Sequence, residues 1–365
     1  MRTLLLAPAL FAQNGGIERI MRLYLKALCK LAGPADRVDA VVLNDEPDRD
    51  PRLAQYATDR LGEWVGCSRA KGRFIRETIR LGRRADRLVC AHLHHLSIAW
   101  LARRFNRRLR YSLVAHGIEV WRPYSGLERR ALLGAERILC VSEYTRRQLL
   151  RFCPELSAER LVVVPNTLDP SFESGPAAAP AFVGPRILCV TRLSASDSYK
   201  GVDTLIEVLP QLRRDFPLVR LRIVGQGDDL PRLTALAERL GVASSVDFLG
   251  PLPDEALRGE YASCDLFALP SRREGFGLVY LEAMTHGKSC LAARAGGAPE
   301  VVNVEVGCLV DYANLADLAA GLTDLARHPR DSGVVRRHAG SFAFPVFSRR
   351  LAEALASADH KTTDY

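Results

Sequence analysis

The 365-residue sequence has nine cysteines but no C-x-x-C pair, and none of them falls at a metal-ligand spacing. Several sit inside apolar runs, as Cys140 does in Ile138–Val141 and Cys189 in Ile187–Val190. They read as small buried hydrophobes in a reducing compartment, not as a disulfide framework. Equally absent is any apolar run approaching the ~18 residues of a membrane span. Acidic residues are scarce in one window: between Arg69 and Arg110, thirteen basic side chains face only Glu77 and Asp86. Residues 1–170 hold 30 Lys and Arg against 18 Asp and Glu, the remainder 21 against 24, so the net charge of +9 belongs to the first half. That asymmetry fits an anionic partner, and it equally fits a solvated Arg-rich surface. With 48% hydrophobic and 25% charged residues the chain is core-forming, except for the polar tail His360–Tyr365.

What is present is alternation. Apolar runs expected as strands lie at 3–6, 38–43, 88–92, 111–115, 138–141 and 161–164, and again at 186–190, 220–224, 246–249, 266–269, 289–292 and 307–310. Helical patterns separate them; after Gly201, for example, Val202, Leu205, Ile206, Leu209 and Leu212 share one face. The opening MRTLLLAPALFA could pass for a signal peptide, but it runs directly into Gly15-Gly16 and an amphipathic stretch. Strand, glycine turn and helix is the better parse, which places the protein in the cytoplasm. Strands alternating with crossover helices imply an α/β fold with parallel sheets covered on both faces. The Ala/Pro/Gly-rich stretch 171–185 has no period and separates two complete series. The expected organisation is a Rossmann-like domain at 1–170, a linker at 171–185, and a second such domain at 186–345. A last helix within 346–365 has no strand partner of its own and would cross back to the first domain. Ligands of open parallel sheets bind beyond the carboxyl ends of the strands, so the expected site is a cleft faced by the two sheets.

The residues there carry the chemistry. Pro270-Ser271-Arg272-Arg273-Glu274-Gly275-Phe276-Gly277-Leu278 leaves a strand, turns on glycines and opens a helix. Such a turn lets backbone approach a ligand, and free N–H groups at the helix start suit a diphosphate. Glu274 lies in the loop, whereas Glu282 is expected about two turns inside the helix among apolar neighbours. A carboxylate there needs a partner, and vicinal ribose hydroxyls would serve. Taken alone, Glu282 would be an ordinary surface glutamate. Arg192 follows a strand and Lys200 precedes a helix, so both can face one diphosphate; either alone would read as a solvated charge.

The ordered set resembles the retaining glycosyltransferases of family 4 over nearly the whole chain. Glu274 and Glu282 match that family's E-x7-E pair, Gly296-Gly297-Ala298-Pro299-Glu300 its next element, and Arg192 with Lys200-Gly201 its phosphate clamp. Ile223-Val224-Gly225-Gln226-Gly227-Asp228 matches its glycine turn, and Val246-Asp247-Phe248-Leu249-Gly250 the strand that ends at the nucleotide base. Gly15-Gly16-Ile17-Glu18, His116-Gly117 and Pro165-Asn166 match in the first half. Each piece alone is weak, since G-x-G is common; their order is specific. The resemblance implies the GT-B fold and hexosyl transfer, mannosyl or glucosyl, from a UDP- or GDP-sugar to a hydroxyl of a glycan or lipid-linked acceptor, with retention. It implies that Arg192 and Lys200 neutralise the leaving diphosphate without metal or cofactor, that Glu274 holds the sugar's hydroxyls and that Glu282 takes the ribose. Gly225, Phe248, Leu249 and the amides of Gly275, Phe276, Gly277 and Leu278 would line the donor. His116 would stand near the sugar, and Gly15 and Gly16 would approach the diphosphate or acceptor. One departure is Phe342–Phe347, where the family often has a tryptophan.

Rival readings are a sugar-nucleotide epimerase or sugar phosphorylase on the same fold, and a non-catalytic binder of an anionic polymer. The last has no use for intact Glu274, Glu282, Arg192 and Lys200, and no nucleic-acid partner is expected. Asp48-Arg49-Asp50 formally matches a metal-binding D-x-D motif, but it lies in a charged loop and reads as a solvated turn. His92, His94 and His95 lack a partnering carboxylate or cysteine and read as acceptor-side lining. The basic segment 68–87 is either a crossover helix or an interfacial helix docking on anionic membrane through Arg73, Arg76, Arg80, Arg83 and Arg84. The two are compatible, and peripheral contact with the inner face of the cell membrane is the expectation.

Overall fold

In a computed structural model of the protein, residues 1–13, 15–172 and 184–356 are described. The linker expected at 171–185 falls largely outside the described residues, as does the polar tail. The chain divides into two compact units, Met1–Asp169 joined by the chain from Phe344 onward, and Pro170–Ala343.

The first unit holds a seven-stranded parallel sheet. Its elements run β1 (Arg2–Ala7), α1 (Gly16–Leu31), β2 (Arg37–Val42), β3 (Leu61–Gly66), α2 (Lys71–Gly82), β4 (Arg87–Cys90) and α3 (Leu93–Phe105). They continue with β5 (Arg110–Ala115), α4 (Gly126–Leu133), β6 (Arg137–Cys140), α5 (Glu143–Phe152) and β7 (Leu161–Val163). The strand order is β3-β2-β1-β4-β5-β6-β7. Leu4, Leu5, Leu6, Val89, Leu113 and Val114 are fully buried, because helices cover both sheet faces and a central strand must be apolar on each. β3 was not expected from sequence. It is an edge strand, Leu61 to Trp64 are only half-buried, and two glycines and Glu63 interrupt its pattern.

The second unit holds a six-stranded parallel sheet. It comprises β8 (Arg186–Val190), α6 (Val202–Glu207), α7 (Leu209–Asp215), β9 (Arg220–Val224), α8 (Leu230–Arg239), β10 (Val246–Gly250) and α9 (Asp254–Ser263). After these come β11 (Leu266–Leu269), α10 (Leu278–Thr285), β12 (Ser289–Ala293), β13 (Gly307–Val310), α11 (Leu315–Arg327) and α12 (Ser332–Gly340). The order is β10-β9-β8-β11-β12-β13. The single helix expected after Gly201 is two helices. Pro210 has no N–H to bond back to the Ile206 carbonyl, so the helix restarts there, although the apolar face stays buried.

A final helix, α13 (Phe344–Ala356), belongs to the first unit. Phe347 meets Tyr24 of α1 edge-on at 5.0 Å, and Arg87 donates to the Leu355 carbonyl at 2.8 Å. Among the described residues, no helix is long and apolar enough to cross a membrane.

Strand order reverses beside the first strand of each sheet, between β1 and β4 and between β8 and β11. Loops leaving those neighbours diverge to opposite faces, and the crevice between them is where such sheets bind ligands.

Candidate active site

In the second unit the crevice is bounded by the loops after β8 and β11, which are tied together by backbone. Arg272 N–H donates to the Tyr199 carbonyl at 2.9 Å. Gly201 has φ +73°, and a Cβ there would lie 2.8 Å from the Pro270 carbonyl oxygen, so only glycine lets the loops approach so closely. This approach brings the Lys200 ammonium onto Glu274 Oε1 as an ion pair, with the side chains 16% and 11% exposed. Glu274 is also held from behind. Gly297 N–H donates to its carbonyl at 2.7 Å, and Gly296, at φ +63°, runs so close that a Cβ would lie 2.5 Å from that oxygen. The two glycines after β12 therefore fix the backbone that presents Glu274.

Arg192 is handled differently. Its side chain is 77% exposed and pairs with Asp197 Oδ2 at 2.9 Å. Asp197 Oδ1 accepts from the Tyr199 hydroxyl at 2.9 Å, and the Tyr199 ring is faced by Lys200 and Arg273. Burial, then the Asp197 bond, pushes the Tyr199 hydroxyl up to about 12. The two expected clamp cations, both on the loop after β8, thus carry separate carboxylate partners, Asp197 on that loop and Glu274 on the loop after β11. The loop after β9 supports that loop: Leu193 N–H donates to the Gln226 carbonyl and Ala195 N–H to Asp228 Oδ1, each at 2.9 Å. The Ala195 amide holds the Asp228 carboxyl below its usual range. Gly225 N–H donates to the Gly250 carbonyl, and half-buried Phe248 and Leu249 lie where β10 shifts register against β9.

Gly277 caps the N-terminus of α10 without any side-chain acceptor; the Tyr280 N–H turns back to the Gly277 carbonyl at 3.1 Å, and the amides of Leu278 and Val279 are left for a ligand. Gly275 lies in the turn, but the Phe276 side chain is buried edge-on against Phe342, so only its backbone can contribute. Glu282 stands one turn into α10, not two, because the helix begins only at Leu278. It is 4% exposed and accepts from the Tyr261 hydroxyl at 2.7 Å. Tyr261, Asp197 and Tyr199 carry no motif, and sequence reasoning passed over them.

In the first unit, Gly15 is the N-cap of α1 and Gly16 its first residue. The loop between β1 and α1 is organised by Asp45, which the sequence reading also missed. Its buried carboxylate accepts from the amides of Leu10, Phe11 and Ala12 at 3.0, 2.9 and 3.1 Å. His116 follows β5; its N–H donates to Glu119 Oε1 at 2.6 Å, and its ring Nε2 bonds the Ala91 carbonyl at 2.8 Å. His92 caps α3 by accepting from His94 N–H, and its ring lies 6.5 Å from that of His116. Burial lowers His92, His95 and His116 each to about 4, which keeps the imidazoles neutral. Among the described residues no group of three or more His, Cys, Asp or Glu side chains could hold a metal. In the D-x-D stretch, Asp50 accepts from Arg52 N–H and pairs with the Arg52 guanidinium.

The basic segment forms α2 and buries Phe74, Thr78 and Leu81. Part of its charge is already neutralised. Arg80 pairs with both Glu63 and Glu77, Arg84 with Glu63, and Arg76 with Glu77. Arg80 and Arg84 hold the Glu63 carboxyl down to about 2. Glu63 lies on β3, outside the sequence window that suggested so few acids. Arg83 stacks over Phe105, and neither it nor Arg73 has a carboxylate partner among the described residues.

Residues 14–172 match the profile described as Glycosyltransferase Family 4, and residues 184–328 that of Glycosyl transferases group 1. The chain is 36% identical over 281 residues to a GDP-mannose-dependent alpha-(1-6)-phosphatidylinositol monomannoside mannosyltransferase of Mycolicibacterium smegmatis, covering 70% of this chain and 72% of that protein. A D-inositol 3-phosphate glycosyltransferase of Saccharomonospora viridis is 32% identical over 241 residues, 62% of this chain and 56% of the relative. Among solved structures, Anabaena HepE in complex with UDP has a TM-score of 0.76 at 22% identity, covering 98% of this chain and all of that one. The apo lipopolysaccharide outer core galactosyltransferase WaaB has a TM-score of 0.75 at 16% identity, over 98% and 99% of the two chains. With two parallel-sheet units of the GT-B fold and a relative this similar over most of both lengths, the chain belongs to the family 4 glycosyltransferases.

Proposed function

We propose that this glycosyltransferase moves a hexosyl group from a nucleotide-diphosphate sugar to a hydroxyl of a lipid-linked or glycan acceptor, with retention and without a metal. The observation that carries the reading is the buried Lys200–Glu274 pair at the strand-order reversal of the second unit, beside the uncapped start of α10. Departure of a nucleoside diphosphate builds negative charge on its outer phosphate. Lys200, Arg192 and the α10 amides supply fixed positive charge for it, while Glu274 suits the sugar's hydroxyls. The sugar–phosphate bond breaks with its electrons going to the phosphate oxygen. The acceptor oxygen bonds the anomeric carbon on the same face, and its proton passes to the departing phosphate. Relatives named for GDP-mannose favour GDP-mannose as donor and a phosphoinositide-type glycolipid as acceptor.

Thermal shift against GDP, UDP and ADP selects the base, since a ligand of the native state raises its melting temperature. Incubation with GDP-mannose and glycolipid acceptors in EDTA, with the product anomer read by NMR, tests the rest. An inverted product removes the retaining mechanism, and activity that EDTA abolishes and manganese restores removes the metal-free clamp. Free mannose 1-phosphate, or an altered nucleotide sugar formed without acceptor, would favour the phosphorylase or epimerase.

The acceptor reading includes docking on an anionic membrane by the first unit. Arg73 and Arg83, the latter stacked over exposed Phe105, are the part of the expected surface left unneutralised. Basic side chains close to such a bilayer contribute roughly 1 kcal/mol each.

A further inference from the structure

We propose that Tyr261 is a positioning residue for Glu282, and that it sets the enzyme's preference for ribonucleotides over 2′-deoxyribonucleotides. The inference rests on the reading of Glu282 as the carboxylate that takes the donor ribose. A carboxylate that is to accept from two vicinal hydroxyls must be held in one plane. Glu282 sits on an apolar helix, 4% exposed, where no water-filled surroundings would orient it. Tyr261, fully buried on α9, donates its hydroxyl to Glu282 Oε2 at 2.7 Å. A carboxylate has about four acceptor directions, and a donor held in one of them limits how the group can turn.

The tyrosine is itself built to hold still. Its ring lies 5.9 Å from Phe267 of β11, 6.2 Å and edge-on from Phe172, and 6.0 Å and near-parallel from His286. With three rings around it and only two side-chain torsions, the phenol has one aim. His286 adds no rival. It is buried at the end of α10, and its two ring nitrogens have no hydrogen-bond partner among the described residues. Burial first, then Lys288, Arg258 and Arg336, hold it at about 4, so it presents a neutral face to the ring that supports Glu282.

Calorimetry tests this, using GDP, UDP and their 2′-deoxy counterparts on wild type and Tyr261→Phe. The wild type should prefer the ribonucleotide. Tyr261→Phe should bind the ribonucleotide about tenfold more weakly and the deoxynucleotide as before, with donor KM raised and kcat at saturation retained. Full wild-type discrimination in Tyr261→Phe overturns the inference, even where its melting temperature falls. A wild type that does not distinguish ribose from deoxyribose overturns the ribose reading of Glu282 instead. Phe267→Leu keeps the hydroxyl and loosens its support. Should Tyr261→Phe fail to fold, partial erosion of the preference in Phe267→Leu supports the inference, and an unchanged preference overturns it.

Discussion

Glu274 and Lys200 neutralise each other in a place where water reaches neither well, which makes the pair costly to break from one side. Removing one partner of such a pair typically costs about 3 kcal/mol, because the survivor is left charged and desolvated. Lys200→Ala and Glu274→Ala should each lower kcat about a hundredfold or more and also lower Tm. The double variant should be less destabilised than the two single losses combined, and a thermodynamic cycle on denaturant midpoints measures the difference. Strict additivity would mean that the contact carries no energy. Histidine supplies a second prediction at this scale. His92, His95, His116 and His286 lie at about 4 in the folded chain against an ordinary value near 6.5, burial being the first cause for each. Between those values the unfolded chain binds more protons, so stability is present above pH 6.5 and drains away as pH falls towards 4. Urea midpoints at pH 7.5, 6 and 5 should decline, and His286→Phe should flatten the slope by up to one proton. A flat wild-type profile across that window would show that these imidazoles protonate freely in the fold.

Helix α2 shows how an element changes meaning once its neighbours are known. Read alone, it offers five equivalent arginines; in the fold Arg76, Arg80 and Arg84 are engaged by Glu77 and Glu63. Reversing Arg73 and Arg83 to Glu should therefore abolish salt-sensitive sedimentation with phosphatidylglycerol vesicles while leaving Tm and nucleotide affinity alone. Reversing Arg80 and Arg84 should instead place like charges against Glu63 and lower Tm. Wild type that ignores anionic vesicles at low salt would reduce α2 to a crossover helix. The same neighbourhood explains what could be read from sequence. Twelve strands were legible as short apolar runs, and the central ones are unbroken because both their faces are buried, as in Leu4–Leu6 or Phe267–Leu269. β3 was not, since an edge strand tolerates Gly62 and Glu63, and with β3 went the carboxylate that pairs Arg80 and Arg84. Arg192 and Glu274 could be placed after strands, and Lys200 before a helix, from the local pattern. That Lys200 meets Glu274 while Arg192 meets Asp197 depends on how two distant loops close around Gly201, which local pattern does not encode.

The whole chain is not organised in the order of its sequence, because α13 closes the first unit after the second has been completed. Lys26 and Lys30 lie over the Phe344 ring, Tyr24 meets Phe347, and the Phe347 and Leu351 side chains are almost fully buried. The first unit therefore cannot finish its core until the last described helix has been made. The loops proposed to hold the donor, from Arg192 to Glu282, all belong to the second unit. This separation predicts that stability and donor binding respond differently to one substitution. Phe347→Ala removes a large ring from a packed site where helices α1 and α13 meet, and truncation of that kind typically costs about 3–5 kcal/mol. Calorimetric unfolding should show the loss in the transition of the first unit, and titration well below that transition should give wild-type affinity for the nucleoside diphosphate. Adding the nucleotide should then raise the transition of the second unit and leave the weakened one in place, because a ligand stabilises only the fold that binds it. A Phe347→Ala protein that melts in one step and loses nucleotide affinity in parallel would refute this division. The two sheets would then be one thermodynamic body, and α13 would act on the donor site as well as on the core it completes.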